Sequence, residues 1–354
     1  MIEQFEHGGN VYNSSGQLSD WLDMSANINP IGLSEAVKSA IISNIDGLIH
    51  YPDPAVRELK SAISTRYKVN YNNIITLNGA VEFFYLFLNA IRPKRVLIIV
   101  PSFSEYERAA MAAGCDIEYF FTYVEDNFNI NFERLKKIIK DENISCIVLA
   151  NPNNPTGNTI ALDEIVGLLN IIEFVLIDES FVDFIGDEFS VRNLLNQYKN
   201  LIVVQSLTKF FAIPGLRLGF AVANEAMIQC LERRKDVWNV NHLAQKAGVA
   251  ALVDENYISK SRKWISEEKL HVVERLKKIS KIKFFKPTVN FVLIKFQSEK
   301  IALKIIENLK SHRILVRSCA NFRGLDCSYI RIAIRYRKDN DRVIDLIENM
   351  LEVD

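Results

Sequence analysis

The amino-acid sequence predicts an α/β fold: a large domain with a mainly parallel, seven-stranded sheet, and a smaller C-terminal α/β domain. Short apolar runs alternate with amphipathic helical patterns from about residue 70. Such alternation, with strands that are apolar on both faces, is typical of parallel sheets. A long charged region begins after residue 224, and a second, shorter series of strands and helices follows it.

The strands of the large sheet are predicted from seven apolar runs, at residues 74–77, 95–100, 116–120, 146–150, 174–178, 201–205 and 218–223. Helical patterns at 80–91, 103–113 and 131–140 separate the earlier strands. The last run follows its predecessor too closely for a helical crossover, so we expect one antiparallel strand there.

The second domain is predicted from strands at 291–296, 314–317 and 329–334, interleaved with helices at 299–311 and 338–351. Residues 224–280 are predicted to form one or two helices that lead out of the first domain. The chain is therefore divided into an N-terminal arm with a small-domain segment (1–45), a large domain (46–235), and an interdomain helix with the small domain (236–354).

Composition limits the classes of function. The 354 residues are 49% hydrophobic, and 43 basic residues balance 43 acidic ones. A net charge of zero argues against a general nucleic-acid or membrane-surface binder. The five cysteines form no C-x-x-C pair, so we expect neither a disulfide framework nor a metal site. The first residues contain no apolar signal segment, and a reducing cytoplasm is the expected location.

The carboxyl ends of the predicted strands, where ligands of open α/β sheets bind, carry a set of polar groups. Ser206, Thr208 and Lys209 follow one strand, and Arg217 comes shortly after. An amine, two hydroxyls and a guanidinium are the groups that a phosphate-bearing aldehyde requires.

The other strand ends complete this set. A helix begins at Ala80 and Val81, where free backbone N–H groups can hold a phosphate. Phe103 can cover a flat ring, and Asn154 lies in a loop rich in Asn and Pro. The sequence lacks the glycine motifs of nucleotide sites, which argues against a nucleotide-bound metal ion as the partner of Asp178. Asp178 therefore needs another cationic partner. A protonated pyridine nitrogen is such a partner, so these residues together predict a pyridoxal phosphate site.

Three segments, in this order, resemble the fold-type I pyridoxal phosphate enzymes of the class I/II aminotransferase family: NPNNPTG (151–157), LIDES (176–180) and SLTKFFAIPGLRLG (206–219). The resemblance spans nearly the whole chain. It implies that Lys209 binds the cofactor covalently, that Asp178 pairs with the pyridinium, that Asn154 binds the ring 3′-oxygen and that Phe103 stacks on the ring. The residues implied to hold the cofactor phosphate are Ala80, Val81, Ser206, Thr208 and Arg217.

The resemblance also has implications for two further residues, Tyr51 and Phe181. Tyr51, in HYPDP, matches a family tyrosine that reaches the phosphate of the neighbouring subunit, which implies a homodimer with shared active sites. Phe181 departs from the family, because many aminotransferases have a tyrosine there whose hydroxyl contacts the 3′-oxygen. The departure implies ring electronics that differ from those of a standard transaminase.

The segment SYIRIAIRYR (328–337) is rich in arginine. Its alternation places Arg331, Arg335 and Arg337 on one strand face, and Arg317 and Arg323 lie just upstream. Like charges on one face need anions nearby. A substrate with two anionic groups satisfies this requirement through charge-assisted bonds, and a solvated edge with partner carboxylates is the alternative.

Within the family, HGGNVYNSSG (7–16), MSANINP (24–30) and RSCANFRGLDCSYIRIAIR (317–335) resemble the threonine-phosphate decarboxylases of cobamide biosynthesis. Histidinol-phosphate aminotransferases are near relatives. The resemblance implies that Arg331 binds the substrate carboxylate. The residues implied to surround the substrate phosphate are His7, Asn29, Arg323 and Arg335.

The implied activity is pyridoxal phosphate-dependent decarboxylation of an O-phospho-amino acid to the amino-alcohol phosphate. L-Threonine O-3-phosphate and L-serine O-phosphate are both open as substrates, since one methyl group separates them. Two alternatives also stay open: an aminotransferase for histidinol phosphate or another amino acid, and a non-catalytic sensor with the same fold.

Overall fold

The structure is a computed structural model that describes residues 7–353. Its strands, numbered in chain order, are β1 (Leu22–Asp23), β2 (Ile74–Leu77), β3 (Arg95–Val100), β4 (Asp116–Phe121), β5 (Cys146–Ala150), β6 (Phe174–Asp178), β7 (Leu201–Ser206), β8 (Gly219–Val222), β9 (Ile282–Phe285), β10 (Phe291–Phe296), β11 (Ile314–Leu315), β12 (Arg317–Ser318) and β13 (Tyr329–Ala333).

The α-helices of the same residues are α1 (Glu35–Ser43), α2 (Arg57–Tyr67), α3 (Val81–Ile91), α4 (Glu105–Ala112), α5 (Phe132–Asp141), α6 (Leu162–Leu169), α7 (Glu225–Glu232), α8 (His242–Val253), α9 (Glu255–Leu276), α10 (Glu299–Ser311) and α11 (Arg337–Val353). Several begin at a side-chain cap: Asn131, for example, accepts a hydrogen bond from the Arg134 N–H at the start of α5. Such caps satisfy a backbone donor that has no partner within the helix.

The large sheet has the order β2-β8-β7-β6-β5-β3-β4 within the described residues. Strands β7, β6, β5, β3 and β4 run parallel, whereas β8 pairs antiparallel with both β7 and β2. The predicted seven-stranded, mainly parallel sheet with one antiparallel strand is therefore confirmed. The central strands β5 and β7 are buried along their whole length, as expected for a sheet covered by helices on both faces.

The C-terminal part contains a four-stranded sheet of order β12-β13-β10-β9. Strand β9 was not predicted, because its sequence IKFF is short and begins and ends beside lysines. The single strand predicted at 314–317 is wrong: it consists of β11 and β12, which belong to different sheets. Strand β11 pairs in parallel with β1, so the N-terminal segment joins the C-terminal part of the chain.

Residues 224–280 form three α-helices, α7, α8 and α9, rather than the predicted one or two. Asn241 caps α8 and Asp254 caps α9, and these caps divide one charged region into separate helices. The predicted domain boundaries after residues 45 and 235 stay a prediction. Among residues 7–353, none of the helices combines the length and apolar character that a membrane-spanning segment requires.

Candidate active site

A cavity of about 760 Å³ lies at the carboxyl ends of β2, β3, β5, β6 and β7, between them and residues of the N-terminal segment and of strands β12 and β13. The structure brings most of the predicted site residues to this cavity. Those that line it are His7, Ala80, Val81, Phe103, Asn154, Asp178, Thr208, Lys209, Arg217 and Arg331. Their individual roles stay predictions, but their convergence on one cavity is what a shared ligand requires.

Lys209 points its amine into the cavity just after β7. Its Nζ donates a hydrogen bond of 3.0 Å to Ser206 Oγ, which lies 2.7 Å from Thr208 Oγ1. Desolvation lowers the pKa of Lys209 from 10.5 to about 8; Asp178 opposes this shift, and Arg217 and Arg331 add to it. The lowered pKa increases the fraction of unprotonated amine, which is the nucleophilic form, and this form becomes the major one above pH about 8.

The lowered pKa of Lys209 predicts a pH dependence of stability. Between pH about 8 and 10.5 the unfolded chain keeps the Lys209 proton that the folded protein has lost. The unfolding free energy of the cofactor-free protein should therefore rise with pH across this window. Below it both states hold the proton, and the cost of burying the charge is fully present.

Denaturant titrations of the cofactor-free wild type and of Lys209→Met across this window measure the effect. The difference in unfolding free energy between the two proteins should change with pH. A constant difference would contradict the lowered pKa.

Asp178 ends β6 and is held by two hydrogen-bond donors. The Ser180 N–H donates to Oδ1 at 2.8 Å, and the Tyr106 hydroxyl donates to Oδ2 at 2.6 Å. Burial, together with the nearby Asp178 carboxylate, raises the pKa of Tyr106 well above its ordinary value, so this hydroxyl keeps its proton. The carboxylate is thereby fixed in one orientation, which suits a cationic ring N–H.

The start of α3 has the features expected of a phosphate-binding helix start. Within the described residues no side chain caps this helix at Ala80, so its first N–H groups are available to an anion. A Cβ on Gly219 would lie 2.6 Å from the Ala80 nitrogen, and one on Gly79 would lie 2.4 Å from Arg217 Nη2. Both glycines therefore let the backbone, the helix start and the guanidinium approach one another closely.

Gly219→Ala should weaken the binding of pyridoxal phosphate about tenfold or more. The added methyl group must push the start of α3 away from β8, and such overpacking costs about 1–3 kcal/mol. Equilibrium titration of the cofactor-free protein measures the affinity, and thermal unfolding measures the stability.

Gly167→Ala is the matched control, because a Cβ in the middle of α6 meets only the end of the Lys136 side chain, at 3.5 Å. That variant should gain about 0.5–1 kcal/mol of stability and keep its cofactor affinity. Unchanged affinity in Gly219→Ala would mean that the phosphate does not lie at this helix start.

Arg331 lies on β13 and is almost fully buried. One Nη donates to Asn154 Oδ1, and the other donates to the Ser25 carbonyl at 2.7 Å. Its buried Nε has no partner among the described residues, although a buried donor without a partner is costly. Burial lowers the pKa of Arg331 to about 10. An anion in the cavity would satisfy both the free donor and the desolvated charge.

Aromatic rings form two walls of the cavity. Phe103 lies after β3, and the His7 ring is 5.2 Å from it, centroid to centroid. His7 Nε2 and Glu105 Oε1 are 2.8 Å apart, so a buried carboxylate holds the imidazole at the cavity. Phe181 lies on the other side, with its ring 6.0 Å from Lys209 Nζ. Because it has no hydroxyl, Phe181 supplies no polar group at this position.

Two residues that sequence reasoning did not assign also line the cavity. Arg317 is 8% exposed, and it stands directly opposite Arg331 in the pairing of β12 with β13. Asn27 is buried, and its Oδ1 has no partner among the described residues. The position of Arg317 just upstream of the arginine-rich segment was visible in the sequence, but its place beside Arg331 depends on the strand register.

Three predicted substrate residues do not line the cavity: Asn29, Arg323 and Arg335. The Asn29 amide is buried against the Phe210 carbonyl and Ser261 Oγ, and so supports the chain around Lys209. Arg335 follows the end of β13, where the face alternation stops, and donates to the Asp23 carbonyl at 3.3 Å. Arg323 is paired with Glu107 on α4.

Tyr51 also lies away from the cavity, on the surface of the chain. It is 77% exposed and stacks on the Trp238 ring at 4.3 Å. An exposed position is compatible with the predicted contact to a neighbouring subunit.

The donor set of the cavity fits pyridoxal phosphate. It combines an amine at Lys209, a fixed carboxylate at Asp178, an amide at Asn154 and an uncapped helix start at Ala80. These groups lie on different strand ends and correspond to the aldehyde, the ring nitrogen, the ring oxygen and the phosphate of that cofactor. The cofactor prediction therefore agrees with the chemistry of the cavity.

Known proteins resemble this chain along its length. Threonine-phosphate decarboxylase of Salmonella typhimurium is 34% identical, over 98% of this chain and 96% of that protein. The adenosylcobalamin biosynthesis bifunctional protein CobDQ of Leptospira interrogans is 33% identical, over 98% of this chain but 41% of its own length. The crystal structure of histidinol-phosphate aminotransferase from Clostridium acetobutylicum has a TM-score of 0.87 and 32% identity, covering 94% of this chain and 99% of that one.

The family model of class I and II aminotransferases matches residues 19–347, which is most of the chain. This match confirms the fold class and the cofactor class that the strand-end residues predicted. The chain belongs to the class I and II aminotransferase family, whose enzymes use pyridoxal phosphate.

Proposed function

We propose that this protein is a pyridoxal phosphate-dependent decarboxylase of an O-phospho-amino acid. The substrate is L-threonine O-3-phosphate, with L-serine O-phosphate as its smaller homologue, and the products are carbon dioxide and the amino-alcohol phosphate. Similarity to a threonine-phosphate decarboxylase and to an adenosylcobalamin biosynthesis protein supports both this reaction and a role in cobamide biosynthesis.

The observation that carries the proposal is the pair formed by Arg317 and Arg331. The two residues are register partners on β12 and β13, both are more than nine-tenths buried, and both line the cavity. Like charges directly opposite on a sheet are destabilising. A ligand with two anionic groups, a carboxylate and a phosphate, relieves this repulsion and occupies guanidinium groups suited to both.

The roles of the residues follow from this arrangement. The chemistry that the cofactor supplies, when it is bound, is an acceptor for the electron pair left when a bond to the substrate Cα breaks. Asp178 would keep the ring nitrogen of the bound cofactor protonated, and Phe103 would cover the ring. Lys209 moves protons at the reacting carbon, while Arg331 and Arg317 hold the anionic ends of the substrate.

Substrate orientation decides which bond breaks, because the bond perpendicular to the cofactor ring is the one that is weakened. Decarboxylation requires the Cα–carboxylate bond in that direction, and transamination requires the Cα–H bond. We assign the choice to the substrate end of the cavity, where Arg317, Asn27 and His7 lie. The similarity to a histidinol-phosphate aminotransferase makes transamination the second candidate.

One assay separates these candidates. The purified protein is incubated with pyridoxal phosphate, O-phospho-L-threonine and 2-oxoglutarate, and both carbon dioxide and glutamate are measured. Release of carbon dioxide in equal amount to the amino-alcohol phosphate supports the decarboxylase. Glutamate formation without carbon dioxide would overturn it, and histidinol phosphate would then be the substrate to test.

The proposal includes a homodimer with shared active sites. Tyr51 and Trp238 stack on the surface, and Ile45, Leu48 and Ile49 in the preceding helical turn are also more than half exposed. A cluster of exposed apolar side chains indicates a contact surface. Contact through this cluster would place Tyr51 of the partner subunit near the cofactor phosphate.

Ile49→Asp should therefore produce a monomer with little activity, because a carboxylate at the contact must lose its hydration. Light scattering measures the mass, and the decarboxylation assay measures the activity. Leu270→Asp, at another exposed apolar position, on α9, is the control and should keep the wild-type mass. A wild-type monomer would contradict the shared site.

The proposal also places the enzyme in the cytoplasm. All five cysteines are free thiols, a state that a reducing compartment maintains. The ligand that we propose is a phosphorylated amino acid, whose two anionic groups match the pair formed by Arg317 and Arg331.

A further inference from the structure

Arg323 makes a two-bond ion pair with a buried carboxylate outside the cavity. Its Nε donates to Glu107 Oε2 at 3.2 Å, and its Nη2 donates to Glu107 Oε1. The guanidinium also lies 4.2 Å from the ring of Tyr119. The Glu107 side chain is 9% exposed and that of Arg323 is 37% exposed, so the carboxylate is the desolvated partner. A paired buried charge of this kind is costly to leave alone.

The ion pair fixes one side of the loop between β12 and β13. The backbone of this loop turns tightly, with the Phe322 N–H bonded to the Cys319 carbonyl at 3.0 Å. Gly324, with φ of +89°, lies against the end of the large sheet, where a Cβ would be 3.4 Å from the Phe121 ring. Through its ion pair with Glu107, Arg323 connects this turn to α4.

The same loop forms the substrate end of the cavity. Phe322 lines the cavity, and the Arg317 guanidinium lies 5.1 Å from its ring. Arg317 also donates to Asn321 Oδ1 at 2.6 Å, so two loop residues set the position of its guanidinium. A separate cavity of about 380 Å³ lies beneath the loop, lined in part by Phe103, Phe322 and Arg323. The loop is thus not supported by close packing on that side.

The other end of the pair lies on the helix that carries site residues. Glu107 is on α4, two residues after Glu105, which holds His7, and one after Tyr106, which holds Asp178. The ion pair therefore connects the loop that positions Arg317 with the helix whose side chains hold His7 and Asp178.

We propose that Glu107 and Arg323 are a pair of positioning residues that hold the 319–325 loop, and with it Arg317 and Phe322, at the geometry required by the phosphorylated end of the substrate. This inference rests on the proposed function. In this inference Arg323 affects substrate binding by positioning Arg317, and it does not contact the substrate itself.

The test is a double-mutant cycle with Arg323→Met, Glu107→Gln and both together. The dissociation constant of O-phospho-L-threonine is taken from the rapid absorbance change on stopped-flow mixing with the cofactor-loaded protein, before the substrate is turned over. Each single variant should bind about tenfold more weakly, as expected when a buried charged pair loses one partner. The double variant should be no weaker than the singles, because residues that act as a unit are not additive. Arg323→Lys, which keeps the charge, should recover part of the affinity.

Controls separate positioning from general destabilisation. All variants should keep the cofactor absorbance, and hydrogen exchange should accelerate in the 319–325 loop but not in α3. Arg95→Met removes an exposed ion pair with Glu142 at the opposite end of β3, and it should bind the substrate as the wild type does.

Three results would overturn the inference. Weaker binding in Arg323→Met with unchanged or tighter binding in Glu107→Gln would show that Arg323 contacts the substrate itself. Wild-type affinity in both variants, or an equal loss of cofactor and substrate, would show that the pair does not position the site. If the wild type fails to bind O-phospho-L-threonine, the proposed function fails first, and this inference falls with it.

Discussion

Lys209→Ala should lower kcat for decarboxylation by at least about 10⁴-fold, the order of effect seen when a residue that reacts directly with its ligand is removed. The variant loses both the amine that attaches the cofactor and the group that moves protons at the reacting carbon. It should still bind pyridoxal phosphate, because Asp178, Arg217 and the start of α3 are unchanged, but without a covalent bond.

Borohydride reduction followed by peptide mass spectrometry tests this directly. The mass of the reduced cofactor should lie on the peptide that contains Lys209 in the wild type and be absent from the variant. Lys38→Ala, at an exposed lysine of α1, is the control and should retain the modification. Attachment at any other lysine, or an unchanged cofactor spectrum in Lys209→Ala, would refute the assignment.

Arg331→Gln should lower kcat/KM for O-phospho-L-threonine about a hundredfold or more while leaving the cofactor in place. The buried guanidinium is the one we assign to the substrate carboxylate, and loss of a buried charged partner costs about 2–5 kcal/mol. Glutamine keeps some hydrogen-bonding capacity toward Asn154 and Ser25, which limits the effect on folding.

Arg335→Gln is the matched comparison, since it removes the same group four residues further along the chain. Arg335 is half-buried and does not line the cavity, so we expect less than about a threefold change in kcat/KM. Equal losses in both variants would mean that the assignment based on strand geometry is wrong.

The sequence was most informative where a local pattern determines the structure. Strands such as β3 and β5 are continuous apolar runs, and in a parallel sheet such runs have few alternatives. Their carboxyl ends converge as a property of the fold. For this reason Lys209, Asp178 and Asn154 could be assigned to one site before any coordinates were considered.

The substrate end was less predictable because it depends on register and turns. Arg317, Arg323 and Arg335 lie within one short arginine-rich stretch, and the sequence does not distinguish them. Only the pairing of β12 with β13 shows that Arg317 is the one beside Arg331. Asn27 and Asn29 belong to one motif, yet the Ile28 N–H bonds to the Ala26 carbonyl, and this turn separates them. Contacts made across hundreds of residues are not encoded in local periodicity.

The pairing of β1 with β11 has a consequence for how the enzyme is made. Leu22 and Met24 bond to Arg313 and Leu315, and the Arg331 guanidinium bonds to the Ser25 carbonyl, 306 positions earlier in the chain. Since translation proceeds from the N-terminus, residues 22–25 must wait until residues 313–331 have been synthesised before they find their partners. We expect the nascent large domain to form its sheet early, whereas the substrate end of the site is completed only after residues 313–331 leave the ribosome.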